Sequence, residues 1–222
     1  MRDKARLSTL VRLRGIPMAG ILVVCTGNIC RSPMAEAFLR RALVERLGDG
    51  APAVRSAGVI GHAGGPAMEE AVRAAAERGA DISAHVVTRL GAPLVAGSDL
   101  IVTMAGEHRA EVARAVPEAA DKTFTLKELV RLLDRLPSDV VTTDLSATIA
   151  QADALRRSGF PGMPDDEDIV DPLGMPVEAY RAVAWELDGW CERLADRLAR
   201  GGTVGRDRRG RDRTGAAATE GD

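Results

Sequence analysis

The sequence predicts an α/β fold: a four-stranded parallel sheet, doubly wound, in three α/β/α layers. Strand-length apolar runs alternate with segments of helical period, in the order β-α-β-α-β-α-β-α. The run from Asp99 to Met104 is apolar through its middle, as a parallel strand covered on both faces must be. The first strand ends in a glycine-bearing loop, and ligands of doubly wound sheets bind at such carboxyl ends.

The first strand is residues 20–25, with Ile21 to Val24 as its apolar run. A helix from about Pro33 to Leu47 follows, with Met34, Phe38, Leu39, Ala42, Leu43 and Leu47 at helical spacing and Gly48 as its stop. Ala53 to Ser56 is the second strand, leading into Ser56-Ala57-Gly58. Pro66 opens a helix to about Arg78, closed by Gly79. Asp99 to Met104 is the third strand, residues 107–116 a helix ended by Pro117, and Lys122 to Phe124 a short fourth strand. Thr125 and Glu128 have capping-box spacing and start a helix to Leu136. Asp144 to Arg157 predicts an additional helix, with Asp144 or Ser146 as cap and Gly159 as stop. The last helix, about 176–200, carries Val177, Tyr180, Ala184, Leu187, Cys191, Leu194 and Leu198 on one face, and Gly201-Gly202 ends it. Cys191 lies on that stripe and reads as a buried, inert thiol. The arrangement is flavodoxin-like.

One domain, residues 20–200, accounts for these elements, with 137–168 insert-like. Residues 1–19 form an N-terminal extension, with Leu7, Leu10, Val11 and Leu13 among basic side chains and Met18 as an alternative start. Residues 201–222 have almost no apolar bulk and are expected to be disordered. A net charge of −2 and a pI near 6.0 argue against nucleic acid as a partner. No apolar run has the length of a membrane span. Three cysteines, an odd number, suit a reducing compartment, and the cytoplasm is the expected location. His62, His85 and His108 are scattered without paired spacing; they read as structural residues, and neither a metal nor a cofactor is expected.

The chemistry concentrates in Cys25-Thr26-Gly27-Asn28-Ile29-Cys30-Arg31-Ser32-Pro33. Successive backbone N–H groups in a tight strand-to-helix loop converge into an anion-binding nest, and the helix N-terminus adds further donors. Gly27 and Asn28 suit positive φ, and Pro33 suits a first helical turn. Cys25 stands at the strand end, where the nest donors and a cation favour its thiolate. Five residues on, Arg31 offers a planar fork for two phosphate oxygens. Ser32 carries a hydroxyl within reach of the sulfur.

The longer string Cys-Thr-Gly-Asn-Ile-Cys-Arg-Ser-Pro-Met-Ala-Glu, residues 25 to 36, closely resembles the phosphate-binding loop of the low-molecular-weight protein-tyrosine phosphatases. That resemblance covers roughly 20–136 and 168–200. It implies a metal-independent hydrolase of phosphomonoesters that works through a phosphocysteine intermediate. Cys25 would be the nucleophile and Arg31 the phosphate clamp. Asp171, the residue before Pro172, would be the general acid, with Glu167, Asp168, Asp165 and Asp166 as neighbouring competitors. Ser56 would support Asn28, and Cys30 would form a protective disulfide with Cys25. The implied partner is a phosphotyrosine-containing protein, such as a cognate bacterial tyrosine kinase or its substrates.

The resemblance weakens at the substrate walls. Family members acting on phosphotyrosine tend to place aromatics after the Ser-Ala-Gly turn and after Asp-Pro. Here the two regions read Val59-Ile60-Gly61 and Leu173-Gly174, with Phe160 and Trp185 as conceivable replacements. Three alternatives stand beside the tyrosine reading: a protein-arginine phosphatase, an arsenate reductase, and a non-catalytic phosphopeptide or anion sensor. Phosphoarginine relatives often carry Thr where this chain has Ile29, and the bulkier Ile favours an aryl ester. A reductase with an intramolecular relay needs two further cysteines, and none lies between Cys30 and Cys191.

Overall fold

The computed structural model describes residues 20–137, 144–160 and 167–203. Strands β1 (Gly20–Cys25), β2 (Ala53–Gly58), β3 (Leu100–Thr103) and β4 (Thr123–Thr125) form one sheet in the order β2-β1-β3-β4, parallel throughout. The helices are α1 (Arg31–Leu47), α2 (Glu69–Glu77), α3 (Ala92–Ala96), α4 (Gly106–Ala115), α5 (Leu126–Arg135), α6 (Leu145–Arg157) and α7 (Val177–Thr203). The chain leaves β1 toward β2 on one side and later returns to β3 on the other. The carboxyl end of β1 therefore lies at the switch point of the sheet, where a crevice must open.

Strand alternation sorts the core. Ile21, Val23, Leu100 and Val102 pack with residues of α1, α2, α5, α6 and α7, while Leu22, Val24 and Ile101 pack with Val95 of α3 and Val112 of α4. Both faces of the sheet are thus covered, as the apolar runs required. Buried Asp188 of α7 binds the first helical layer together, accepting from Arg41 of α1 at 2.5 Å and from Arg78, just beyond α2, at 2.6 and 2.8 Å. Its charge is sheltered, and three charge-assisted donors compensate the lost water. The Thr125–Glu128 capping box is present. The same Glu128 carboxylate accepts from Arg109 at 2.7 and 2.8 Å, tying α4 to α5.

Three boundaries and one extra helix depart most from expectation. Helix α1 begins at Arg31, two residues before Pro33. First-turn N–H groups need no helical acceptor, so Arg31 and Ser32 can be helical while still serving the loop. Helix α2 begins at Glu69, not Pro66, because Met68 is extended and donates its N–H to the Ile29 carbonyl at 2.9 Å. The short helix α3 was not expected; five residues are too few for a periodic signal. Helix α7 runs through Gly201 and Gly202 to Thr203, since glycine weakens a helix by about 1 kcal/mol without having to end it.

Helix α6 has Asp144 as its cap, accepting from Ser146 N at 2.9 Å, and Gly159 follows it at positive φ. Its Arg156 donates to the carbonyls of Thr123 and Ala120, which places the helix beside β4. Residues 138–143 and 161–166 of the insert-like region, the N-terminal extension and residues 204–222 lie outside the described residues. Among the described residues no helix is long and apolar enough to cross a membrane.

Candidate active site

The loop after β1 is built around Asn28. This residue is fully buried and the one non-glycine at positive φ (+56°) among the described residues. Its amide Nδ2 donates to Ser32 Oγ and to Ser56 Oγ, each at 2.8 Å, and its Oδ1 accepts from Thr88 N at 2.8 Å. Its carbonyl lies 2.9 Å from His85 Nε2, and its N–H points at Cys25 Sγ at 3.3 Å. Every polar atom is satisfied, which is what allows an asparagine to hold a strained left-handed turn inside the protein. The Ser56 contact implied by the family resemblance is present. Ser56 in turn donates to Glu36 Oε2 at 2.5 Å.

Cys25 Sγ is 3.0 Å from Ser32 Oγ. Because the Ser32 oxygen already accepts from Asn28, its own hydrogen is available to the sulfur. A thiolate there would receive two donors, Ser32 O–H and Asn28 N–H. Gly27 does not take positive φ, contrary to expectation. Its lack of a side chain matters because a Cβ would sit 3.2 Å from Ile29 Cγ1.

Arg31 lies at the first turn of α1, buried, with its fork across the loop mouth. Nη1 donates to the Ile169 carbonyl at 3.0 Å, and Nη2 donates to Thr26 Oγ1 at 3.0 Å and forms an ion pair with Asp171 Oδ2. The segment that carries Asp171 is held over the loop by Ile169 N, which donates to the Met104 carbonyl at 2.7 Å. Asp171 is half exposed and faces the cavity. The competitors part company with it. Asp168 accepts from Gly106 N at 2.8 Å at the start of α4. Glu167 stands near Arg131 and Glu128, and burial raises its pKa. Asp165 and Asp166 lie outside the described residues.

A cavity of about 300 Å³ opens over the loop. Ile29, Ile60, Val87 and Leu173 supply aliphatic walls, with Cys25, Arg31 and Asp171 at the base and His62 beside them. Phe160 packs under Arg135, and Trp185 stands on the exposed side of α7; neither lines the cavity. The conceivable aromatic replacements are therefore absent from the site. Helix α6 contributes nothing to its walls.

Both remaining thiols are accounted for by burial. Cys30 packs against Tyr180 of α7 with a shared hydrogen bond, and burial pushes its thiol up to about 12. Cys191 is buried against the Ala35 carbonyl, and desolvation raises its pKa. The sequence did not single out Glu36, Thr88, His85 or His108 as loop supports. Their contacts span up to 82 residues, and no local spacing could reveal them.

A thiol at a parallel strand end, ringed by donors and closed by a buried arginine, defines a phosphoryl-binding loop on a doubly wound sheet. A carboxylate on a facing segment completes the set. A family model for low molecular weight phosphotyrosine protein phosphatase matches residues 20–141. The chain belongs to this family. It is 34% identical over 178 residues to a protein-arginine-phosphatase of Geobacillus stearothermophilus, covering 80% of this chain and 95% of the relative. It is 43% identical over 109 residues to the probable low molecular weight protein-tyrosine-phosphatase EpsP of Ralstonia solanacearum, covering 49% and 71%. Among solved structures, a low molecular weight protein tyrosine phosphatase from T. tengcongensis superposes with TM-score 0.61 at 35% identity, covering 81% of this chain and 99% of the other.

Proposed function

We propose that this protein hydrolyses phosphotyrosine in proteins through a phosphocysteine intermediate. Cys25 as thiolate attacks phosphorus in line while Arg31 and the loop N–H groups hold the equatorial oxygens. The incoming phosphate replaces the Asp171 carboxylate on Arg31 and frees that carboxyl to face the leaving oxygen. The P–O bond breaks as Asp171 gives that oxygen a proton. In the second step Asp171 takes a proton from water, which attacks the phosphocysteine and releases inorganic phosphate. Ser32 stabilises the sulfur both as nucleophile and as leaving group.

The observation that carries the choice of substrate is the aliphatic wall of Ile29, Ile60, Val87 and Leu173. A phenyl ring buries well against it. A phosphorylated guanidino group would lose water there with few polar partners in return. The arginine reading keeps a specific support, the similarity to a protein-arginine-phosphatase over 80% of this chain and 95% of that relative. Comparing kcat/KM on a phosphotyrosine peptide and a phosphoarginine peptide decides between them. The ester should win in the wild type, and Ile29→Thr should narrow the gap; a wild-type preference for phosphoarginine overturns the assignment. Hydrolysis of p-nitrophenyl phosphate in EDTA tests the chemistry itself. Cys25→Ser should abolish turnover, and Asp171→Ala should lower it about a hundredfold or more.

A cytoplasmic location fits three free thiols. The partner is then a phosphotyrosine-bearing protein, such as a bacterial tyrosine kinase or its substrate. Mild peroxide, reduced to water, would oxidise Cys25 and Cys30 to a protective disulfide, detectable by mass spectrometry.

A further inference from the structure

His108 is buried beside the reacting centre and has no part in the steps above. It stands in the first turn of α4, and its Nε2 lies 2.9 Å from Thr26 Oγ1. That same oxygen accepts from Arg31 Nη2 at 3.0 Å. His108 Nδ1 is buried without a hydrogen-bond partner. A buried orphan N–H costs more than a buried lone pair, so the proton of a neutral imidazole belongs on Nε2. His108 then donates to Thr26 Oγ1, and Arg31 fills the second lone pair of that oxygen. A hydroxyl with both lone pairs engaged cannot rotate away. Besides the Asp171 ion pair, which the phosphate displaces, the arginine fork thus has two anchors. The backbone carbonyl of Ile169 fixes Nη1, and Thr26, braced by His108, fixes Nη2.

We infer that His108 is a positioning residue for the phosphate clamp, acting on Arg31 through the Thr26 hydroxyl. The alternative is a histidine that only fills space under the loop. The two differ in what happens when the hydrogen bond is lost and the volume kept. The inference rests on the phosphatase reading for its kinetic consequence, but its effect on anion affinity does not require turnover.

The test uses the full chain and four variants: His108→Met, which fills the volume without a donor, His108→Gln, whose amide reaches the same point, Thr26→Val, and the Thr26→Val/His108→Met double. Inorganic phosphate binding is measured by calorimetry, and kcat and KM with p-nitrophenyl phosphate. His108→Met should weaken phosphate binding and lower kcat/KM by about three- to tenfold, the effect of one neutral hydrogen bond. His108→Gln should recover most of the loss. The double variant should be no worse than Thr26→Val alone, because the path has one link. Unchanged phosphate affinity in His108→Met or in Thr26→Val overturns the proposal, as does full additivity in the double or a Gln variant as weak as Met. A wild type that binds phosphate without turnover sinks the phosphatase reading alone; the binding cycle still decides the role of His108. If His108→Met does not fold, Thr26→Val and His108→Gln carry the test.

Discussion

Replacing Gly58 by alanine adds one methyl group at the point where β2 meets the phosphate loop. An ideal Cβ there would lie 2.7 Å from Gly27 C, 2.8 Å from Asn28 N and 2.9 Å from Thr26 O. All three are backbone atoms, so no side chain can swing aside. Gly58 cannot retreat either. Its N–H is held by the Thr88 carbonyl at 2.9 Å, and its carbonyl accepts from Leu90 N at 2.8 Å. The loop must therefore move by several tenths of an ångström. Overpacking of this kind costs about 1–3 kcal/mol, which corresponds to a Tm lower by roughly 2–12 °C for a domain of this size. Activity should suffer more than stability. The displaced atoms belong to Thr26, Gly27 and Asn28, which aim the nest, and a shift approaching 1 Å can lower a rate by about a hundredfold. Thermal unfolding by circular dichroism and kcat/KM with p-nitrophenyl phosphate measure the two effects. Gly189→Ala in α7 is the control. Its Cβ meets nothing within 4 Å, and removing a helical glycine should raise stability by about 0.5–1 kcal/mol. A Gly58→Ala protein with wild-type Tm and wild-type turnover would refute the claim that the close approach of β2 aims the loop.

Two further outcomes follow from the same network. Ser56→Ala removes one of the two acceptors of the Asn28 amide and the donor to Glu36 Oε2 together, leaving one N–H of the buried Asn28 side chain unpaired. It should destabilise by about 1–3 kcal/mol in urea unfolding while Cys25 itself is untouched; a change within experimental error would show that water replaces the hydroxyl freely. His108 should leave a signature in stability against pH. Burial, then the Arg31 charge, lower its pKa, with Glu107, Asp171 and Asp168 acting in the opposite direction. The unfolded chain binds its proton near ~6.5, while the folded protein refuses it until lower pH. Its contribution is thus fully present above 6.5 and is lost as pH falls toward the lowered folded value. Urea midpoints from pH 7.5 to 5 should fall less steeply in His108→Gln than in the wild type. Parallel curves would place the lost proton elsewhere.

The fold and the reacting residues were legible in the sequence because the signals behind them are local. Alternation and helical spacing report burial within a few residues, so the four strands, the capping box at Thr125 and the extra helix at Asp144 could be placed from the chain alone. Cys25 and Arg31 share one loop, and their spacing already describes a turn around an anion. Asp171 was a candidate only through the resemblance, which places the acid before a proline, and only the structure set it on Arg31 while turning Asp168 to α4 and Glu167 toward Arg131. The supports of the loop were illegible for a related reason. Glu36, Thr88, His85 and His108 reach it from separate elements, and a histidine in a list of three looks the same whether it braces a catalytic loop or fills a core. The start of α2 was not legible because it depends on what lies outside the helix, the Ile29 carbonyl that keeps Met68 extended. Local sequence therefore determined which groups can react. Tertiary contact, made between residues far apart in the chain, decided how those groups are aimed, held and walled.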